Sequence, residues 1–154
     1  MKIFLFSFIL TILISGCTTK NAFSKLEMSK DQEKAVENTR SAKMIEGENI
    51  GGIFSAIYLN NIYKNINKES KLFYISIFMK EKNSSINATL NNNKAIHSEK
   101  LPHTNKYSHL LPTTNTWTQN YLVTFTDTQS KDINLSIDSG PFSSGLLSFQ
   151  EDLQ

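Results

Sequence analysis

The sequence predicts a mainly β fold of antiparallel strands, preceded by an N-terminal helical or flexible stalk. Apolar and polar residues alternate with a period of two in segments such as 117–125 and 133–137, and 72–79 is a β-rich apolar run, as expected of strands that pack against a core. Clusters of Asn, Ser, Gly and Pro separate these segments at spacings typical of turns. Residues 30–45, which precede these segments, are largely good helix formers.

Residues 17–50 predict a polar tether followed by a solvated helix or a partly disordered stalk. Ser29 and Gln32 have the spacing of a capping box at a helix start. Good helix formers then dominate 30–45, but the apolar residues among them form only a thin stripe. A mobile spacer is therefore favoured over a partner-binding helix. Gly47 is expected to break the helix.

About seven strands are expected in residues 51–154, which we interpret as one domain. The first, 53–59, has a longer helix as its alternative, and the asparagines at 91–93 predict a hairpin turn because they tolerate positive φ. Leu110 and Leu111 are expected to plug a loop against the core. The pattern predicts an antiparallel β-sandwich of the immunoglobulin-like kind, without a disulfide because the chain has one cysteine, and a small barrel is the alternative. The predicted strands are 53–59, 72–79, 86–90, 94–97, 117–125, 133–137 and 145–150.

The charge of the chain argues against binding to nucleic acid. Its formal net charge is +2 at pH 7, whereas a nucleic-acid binder would show a strongly basic face. Lysines concentrate in 64–106 and acidic residues in 107–154. If strands from the two segments pair, this asymmetry gives internal complementarity. A docking face for a charged partner is the alternative.

Motifs for catalysis, for a nucleotide phosphate or for a metal are not found in the sequence. His97, His103 and His109 recur six residues apart, a spacing that gives no common face on a helix or strand for a metal ion. We therefore predict no enzyme activity, no cofactor and no metal site. The acidic residues that could still meet in space, with solvation at strand ends as their default role, are Asp127, Asp132 and Asp138.

Two surface features are candidate ligand or modification sites. Trp117 and Tyr121, with the 98–116 loop, could form a stacking platform for a sugar or another small ligand, although a Trp at the head of a strand is more commonly a core anchor. Asn83, within the motif at 81–85, matches the acidic-x-Asn-x-Ser/Thr acceptor of some bacterial N-glycosylation systems. In so Asn-rich and Ser-rich a chain, such a match arises readily by chance.

The N-terminus predicts a cleaved targeting signal. Lys2 precedes a run of 12 mostly apolar residues, 3–14, which is signal-peptide length, since a membrane-spanning helix needs about 20. The run leads into Ile14-Ser15-Gly16-Cys17. This sequence resembles the lipobox of bacterial lipoprotein precursors, an aliphatic residue and a small residue followed by Gly or Ala and then Cys. An ordinary secretory signal with a chance cysteine is the alternative.

The resemblance to lipoproteins implies cleavage after Gly16 and attachment of a diacylglyceryl group to the Cys17 sulfur. Residues 1–16 are then the signal peptide and 17–50 the lipid anchor and stalk. A residue other than Asp after the cysteine, here Thr18, implies sorting to the outer membrane if the organism is Gram-negative. We expect a non-enzymatic envelope lipoprotein, in contact with membrane lipid through acylated Cys17, that binds or assists an envelope protein complex. A carbohydrate-binding or small-ligand-binding lipoprotein is the alternative.

Overall fold

The computed structural model of the protein describes residues 28–66, 69–80, 85–111, 115–127 and 129–152. These residues form mainly antiparallel strands, which confirms the predicted fold class. The helices are α1 (Lys30–Glu37) and α2 (Leu59–Ile62), with a 3-10 turn at Ser108–Leu110. The strands are β1 (Thr39–Glu46), β2 (Asn49–Tyr58), β3 (Ser70–Met79), β4 (Asn87–Leu90), β5 (Asn93–Lys94), β6 (His97–Leu101), β7 (Gln119–Thr126), β8 (Asp132–Ser139), β9 (Phe142–Ser144) and β10 (Leu147–Gln150).

The ten strands are hydrogen-bonded into one curled sheet. Its order is β5-β4-β8-β9-β1-β2-β3-β7-β6, and β10 also pairs with β8. β5 and β6 are two halves of one extended segment, and this segment joins both ends of the sheet. The N–H of Ala95 donates to the carbonyl of Ala88 on one side (3.1 Å), while that of Ile96 donates to Thr124 on the other (2.9 Å). The segment therefore closes the sheet on itself.

The number of continuous strand segments is close to the predicted number. β9 and β10 are one segment interrupted at Gly145 and Leu146, just as β5 and β6 are one segment. Counted in this way, the described residues contain eight segments, and seven of them coincide with the seven predicted strands. The Asn91-Asn92 turn between β4 and β5 has φ values of 48° and 67°, which confirms the predicted hairpin with positive φ.

The eighth segment, β1, corrects the prediction of a stalk that continues to residue 50. α1 begins with the predicted capping box between Ser29 and Gln32, but it ends at Glu37, and Thr39–Glu46 pairs with β2. Met44 lies fully buried in the core. Gly47 is the first residue of a two-residue hairpin turn, with φ of 58°. The helix prediction for residues 39–45 was wrong because the intrinsic propensity of these residues is overridden by pairing with β2. The folded domain thus begins well before residue 51.

Apolar side chains pack on both faces of the sheet. The inner core contains an aromatic group in which the ring centroid of Phe73 lies 5.1 Å from Tyr58 and 5.2 Å from Phe149. The outer face of β2 and β3 carries a second cluster, in which the buried Ala35 of α1 and Leu110 take part. The prediction that Leu110 plugs a loop is confirmed, and α1 is packed on the domain. None of the helices that the structure describes has the length and hydropathy needed to cross a bilayer.

Candidate functional site: a polar cleft at one end of the sheet

A buried lysine closes one end of the inner core. Lys71 lies on β3 in phase with the inward-facing Phe73 and Ile75, and its side chain is 2% exposed. Its Nζ atom lies 3.2 Å from Oδ1 of Asp127 and 3.2 Å from Oε2 of Glu151. A buried ammonium group without partners costs several kcal/mol. The two carboxylates are therefore what makes a lysine tolerable at a core position.

The two carboxylates come from the ends of different strands. Asp127 directly follows β7, and its backbone N–H donates to the carbonyl of Glu69 (3.1 Å). Glu151 directly follows β10. Burial alone would raise the pKa of the Asp127 carboxyl, but a hydrogen bond from the N–H of Gln129 (2.9 Å) and the ion pair with Lys71 outweigh burial, so the pKa lies below its usual value. Asp127 is thus held ionised beside the lysine.

Tyr58 lies directly behind this ion-pair cluster. The centroid of its ring is 6.0 Å from Nζ of Lys71, at the outer limit of a cation–π contact. Among the described residues its buried hydroxyl has no hydrogen-bond partner. Burial raises the pKa of this hydroxyl strongly, and the negative charges of Glu151 and Asp127 raise it further. The Glu151 carboxylate is therefore near the hydroxyl without meeting hydrogen-bond geometry, and Tyr58 stays neutral.

Asn61 fastens the C-terminal tail to the helical side of the site. Its Nδ2 donates to Oδ1 of Asn38 (2.6 Å) and to the carbonyl of Gln150 (2.8 Å). Its Oδ1 accepts from the N–H of Asp152 (3.2 Å). Since Asn61 is itself buried, its two bonds to Gln150 and Asp152 tie the C-terminal segment directly to the domain.

A cleft of about 980 Å³ opens between the helices and the strand ends. Its lining combines basic and acidic side chains: Lys34, Lys64, Lys71 and Lys131 with Asp127, Asp132, Glu151 and Asp152. The other lining residues are Asn60, Asn61, Ile66, Ser70 and Gln150.

The structure separates the two aromatic residues that the sequence suggested as a stacking platform. Trp117 is 72% exposed, in an Asx turn closed by Asn115 just before β7, so the prediction of a core anchor was wrong. Tyr121 is 7% exposed, belongs to the inner core, and donates its hydroxyl to Gln119 (2.8 Å). The two residues do not form one surface. Trp117 precedes β7 and Asp127 follows it, so Trp117 lies away from the cleft.

The remaining predicted site residues lie apart from the cleft or outside the description. Cys17 and Asn83 are not among the described residues. His109 contacts the hydroxyl of Tyr63 through Nε2 (3.3 Å) on the outer cluster. Within the described ranges, no group of three or more His, Cys, Asp or Glu side chains is arranged to hold a metal ion. Of the three aspartates that could have met in space, Asp127 and Asp132 both line the cleft.

Lys71 and Glu151 were not predicted as site residues from the sequence. Lys71 could have been recognised from its position in the strand, because residue 71 continues the inward-facing series of 73, 75, 77 and 79. A lysine in that phase needs a partner, but which carboxylate reaches it depends on sheet closure, which a single sequence does not reveal. The chain matches no protein-family model, no curated protein and no solved structure.

Proposed function

We propose that the protein is a lipid-anchored component of a bacterial cell envelope whose β domain binds another envelope component and does not act as an enzyme. The lipobox Ile14-Ser15-Gly16-Cys17 carries this proposal. Two or more acyl chains on the N-terminal residue hold a domain stably at a membrane surface. Thr18 after the cysteine favours the outer membrane of a Gram-negative cell.

A binding role is supported by the form of the domain. The sheet is closed by segment 93–101, packed on both faces, and open to solvent at a charged cleft. Rigid scaffolds with a polar concavity suit recognition of a partner. The partners proposed are membrane lipid, through acylated Cys17, and a protein complex of the envelope. The near-neutral charge of the chain gives no support to a nucleic-acid partner.

The proposal is tested by isolating the full-length protein from membranes in mild detergent and identifying envelope proteins that co-purify with it in both directions of capture. Cys17→Ala is the matched control for the anchor. We expect the wild-type protein in the membrane fraction with a stable envelope partner, and loss of acylation and of that partner in Cys17→Ala. Unchanged membrane association and partner recovery in Cys17→Ala would contradict the proposal.

A second candidate is binding of a carbohydrate or another small ligand through Trp117 and segment 98–116, which was predicted as a loop but whose first residues, to Leu101, belong to β6. The exposure of the Trp117 side chain favours it, because an exposed indole is available for stacking on a sugar ring. Tyr121 would contribute only indirectly because it is buried. Calorimetric titration with an oligosaccharide such as maltotriose tests this role. Binding that Trp117→Ala abolishes and Tyr121→Phe retains would support it, and no binding to the wild-type protein would count against it.

A further inference from the structure

A pair of exposed apolar side chains lies on the outer face of the sheet, at the end away from the cleft. Ile53 of β2 is directly opposite Phe78 of β3, and the two residues are 50% and 40% exposed. Opposite residues of antiparallel strands project to the same face, and Ile77, next to Phe78, belongs to the inner core, so this pair faces outwards. Lys71 at the cleft and Phe78 are seven residues apart on β3, which is about 23 Å along a strand.

A second exposed pair extends this surface to β1. Ile45 lies opposite Ile50 across the hairpin of β1 and β2, and the two residues are 45% and 42% exposed. Met44, next to Ile45, belongs to the inner core, so this pair also faces outwards. Ile53 pairs with Lys43, two residues before Ile45, so the two apolar pairs are neighbours on the sheet. We call this surface the apolar end, and it consists of Ile45, Ile50, Ile53 and Phe78.

The rest of the outer face of β2 and β3 is covered or polar. Ile57 lies opposite Tyr74, and both belong to the outer cluster, in which α1 takes part through Ala35. Ser55 lies opposite Ser76 at the next outward-facing position. The apolar end lies beyond these serines, and the described residues leave it about half exposed. Contiguous exposed apolar surface of this kind marks sites of contact with a membrane or another protein.

The charges around the apolar end cancel. Lys43 and Lys80 are exposed beside it, and so are Glu46 and Glu48 of the hairpin. A surface with this balance offers no net charge to a strongly charged partner and gains nothing from anionic lipid. It is compatible with a bilayer surface whose headgroups are zwitterionic and therefore also carry no net charge.

The proposed anchor keeps a bilayer within reach of this surface. The chain from Cys17 to Met28, the first described residue, can span at most about 40 Å. This reach exceeds the radius of gyration of about 14 Å expected of a domain of this size, so the tether allows the apolar end to meet the membrane. An attached surface meets lipid at a high effective concentration, whereas a soluble partner must first diffuse to it. These considerations favour lipid as the occupant.

We propose that the apolar end rests on the membrane, with Ile53 and Phe78 among the headgroups of a zwitterionic bilayer. This inference rests on the proposed lipid anchor and adds the orientation of the domain on the membrane. Because the cleft lies at the other end of β3, this contact turns the cleft away from the bilayer, where an envelope partner can reach it.

The test is quenching of a fluorescent label by doxyl-labelled lipid in phosphatidylcholine vesicles that carry the full-length acylated protein. Cys17 is the single cysteine of the chain and its sulfur is acylated, so Ile53→Cys introduces one reactive thiol for a nitrobenzoxadiazole label. Ile96→Cys is the matched control, at an apolar position that is 65% exposed and bonded to Thr124, which pairs with Leu72 near the cleft end of β3. We expect doxyl lipid to reduce the emission at position 53 at least twofold and to leave the emission at position 96 nearly unchanged.

A second set of variants tests whether the apolar side chains cause this contact. In the chain labelled at position 53, Ile50→Ser with Phe78→Ser should abolish the quenching. Val36→Ser, at a position of α1 that is 53% exposed, is the control and should leave the quenching as it was. Addition of phosphatidylglycerol should not increase the quenching, because the apolar end has no net charge. Circular dichroism verifies that each variant is folded.

Four outcomes would overturn the inference: no quenching at position 53, equal quenching at positions 53 and 96, quenching that survives Ile50→Ser with Phe78→Ser, or quenching only with phosphatidylglycerol. Protection of the label at position 53 from aqueous iodide without quenching by doxyl lipid would assign the apolar end to a second copy, another protein or the N-terminal segment instead. A protein that is acylated at Cys17 and recovers an envelope partner, but keeps position 53 in water, would retain the proposed function and lose this inference alone.

Discussion

Oε2 of Glu151 lies 3.2 Å from Nζ of Lys71, and this contact attaches the C-terminal tail to the end of the inner core. Phe149, two residues earlier, packs its ring on Phe73 with centroids 5.2 Å apart. β10 and the residue after it thus contact β3 through one aromatic pair and one ion pair, in addition to the hydrogen bonds of Asn61. Because Asp127 shares the same ammonium group, the ends of β3, β7 and β10 are joined at one point.

Removing both carboxylates should destabilise the domain more than removing either one. Asp127→Asn with Glu151→Gln leaves the buried Lys71 ammonium unpaired, and we expect a loss of about 3–5 kcal/mol in the free energy of unfolding. The single changes should cost less, Glu151→Gln least, because this side chain is 51% exposed and Asp127 is 25% exposed. Urea denaturation measures the three values.

Lys71→Met and Asp138→Asn complete that comparison. Lys71→Met should cost about 1 kcal/mol or less, because an apolar side chain replaces the buried charge and both carboxylates reach water. Asp138→Asn changes an exposed residue of β8 and should stay within about 0.5 kcal/mol of the wild type. A double carboxylate variant as stable as Asp138→Asn would contradict the role of the ion pairs.

The low pKa of Asp127 should make stability depend on pH in the acid range. The carboxyl of Asp127 binds its proton more weakly in the folded state than in the unfolded state. Asp127 therefore stabilises the fold at pH values above its unfolded pKa of about 3.9. This stabilisation is lost as the pH falls through the lower pKa of the folded state. We expect the difference in unfolding free energy between the wild type and Asp127→Asn to be largest near pH 7 and to shrink below about pH 4. A difference that is constant from neutral to acid pH would contradict the assignment.

Tyr58→Phe should leave the domain as stable as the wild type or stabilise it by about 1 kcal/mol. The hydroxyl that it removes is buried without a hydrogen-bond partner among the described residues, so desolvation is relieved and no bond is lost. Because the pKa of Tyr58 is raised in the folded state, its hydroxyl ionises in the unfolded state first, near pH 10. The free energy of unfolding should therefore decrease as the pH rises above about 10. Tyr58→Phe should therefore reduce the alkaline loss of stability seen in urea titrations. A loss of more than about 1 kcal/mol at pH 7 would indicate a hydrogen bond worth that amount.

β1 should be indispensable for folding, although its sequence resembles a stalk. Met44 is fully buried, so Met44→Ala should cost about 2–5 kcal/mol, while Lys43→Ala, one residue away and exposed, should change little. A chain that begins at residue 51 lacks β1 and leaves the edge of β2 unpaired. We expect it to be protease-sensitive and a chain from residue 28 to be resistant; equal resistance of the two chains would contradict the assignment of β1 to the domain.

The comparison of β1 with the later strands shows what a single sequence predicts. Segments such as 72–79 and 133–137 have enough inward apolar residues to be recognised as strands, and the Asn91-Asn92 turn follows from the tolerance of asparagine for positive φ. In β1, the inner face has the small Ala42 beside Met44, so local propensity dominated the prediction. Sheet closure through Ala95 and Ile96 depends on pairing between distant strands. Hydrophobic periodicity and secondary-structure propensity do not encode such pairing.

The cleft could not be predicted for the same reason, because it too depends on contacts between distant parts of the chain. The proposed lipobox is a local motif that four consecutive residues suffice to suggest, whereas the cleft combines residues from Lys34 to Asp152 that no spacing connects. For Trp117, a local prediction was made and was wrong. The usual behaviour of aromatic residues favoured burial, but the Asx turn at Asn115 holds the side chain in solvent. Trp117 is the single tryptophan of the chain, so its fluorescence should be readily quenched by iodide. Protection from the quencher in the unliganded protein would contradict its exposure.

The most direct test of the lipid anchor is the mass of the N-terminal tryptic peptide of the protein purified from membranes. Cleavage after Gly16 followed by trypsin at Lys20 gives the peptide Cys17-Thr18-Thr19-Lys20. We expect this peptide to carry a diacylglyceryl group on the cysteine sulfur, with or without an acyl chain on the amine. Recovery of a peptide that starts at Ile3, or of Cys17 with a free thiol, would contradict the proposal that the protein is a lipid-anchored envelope component.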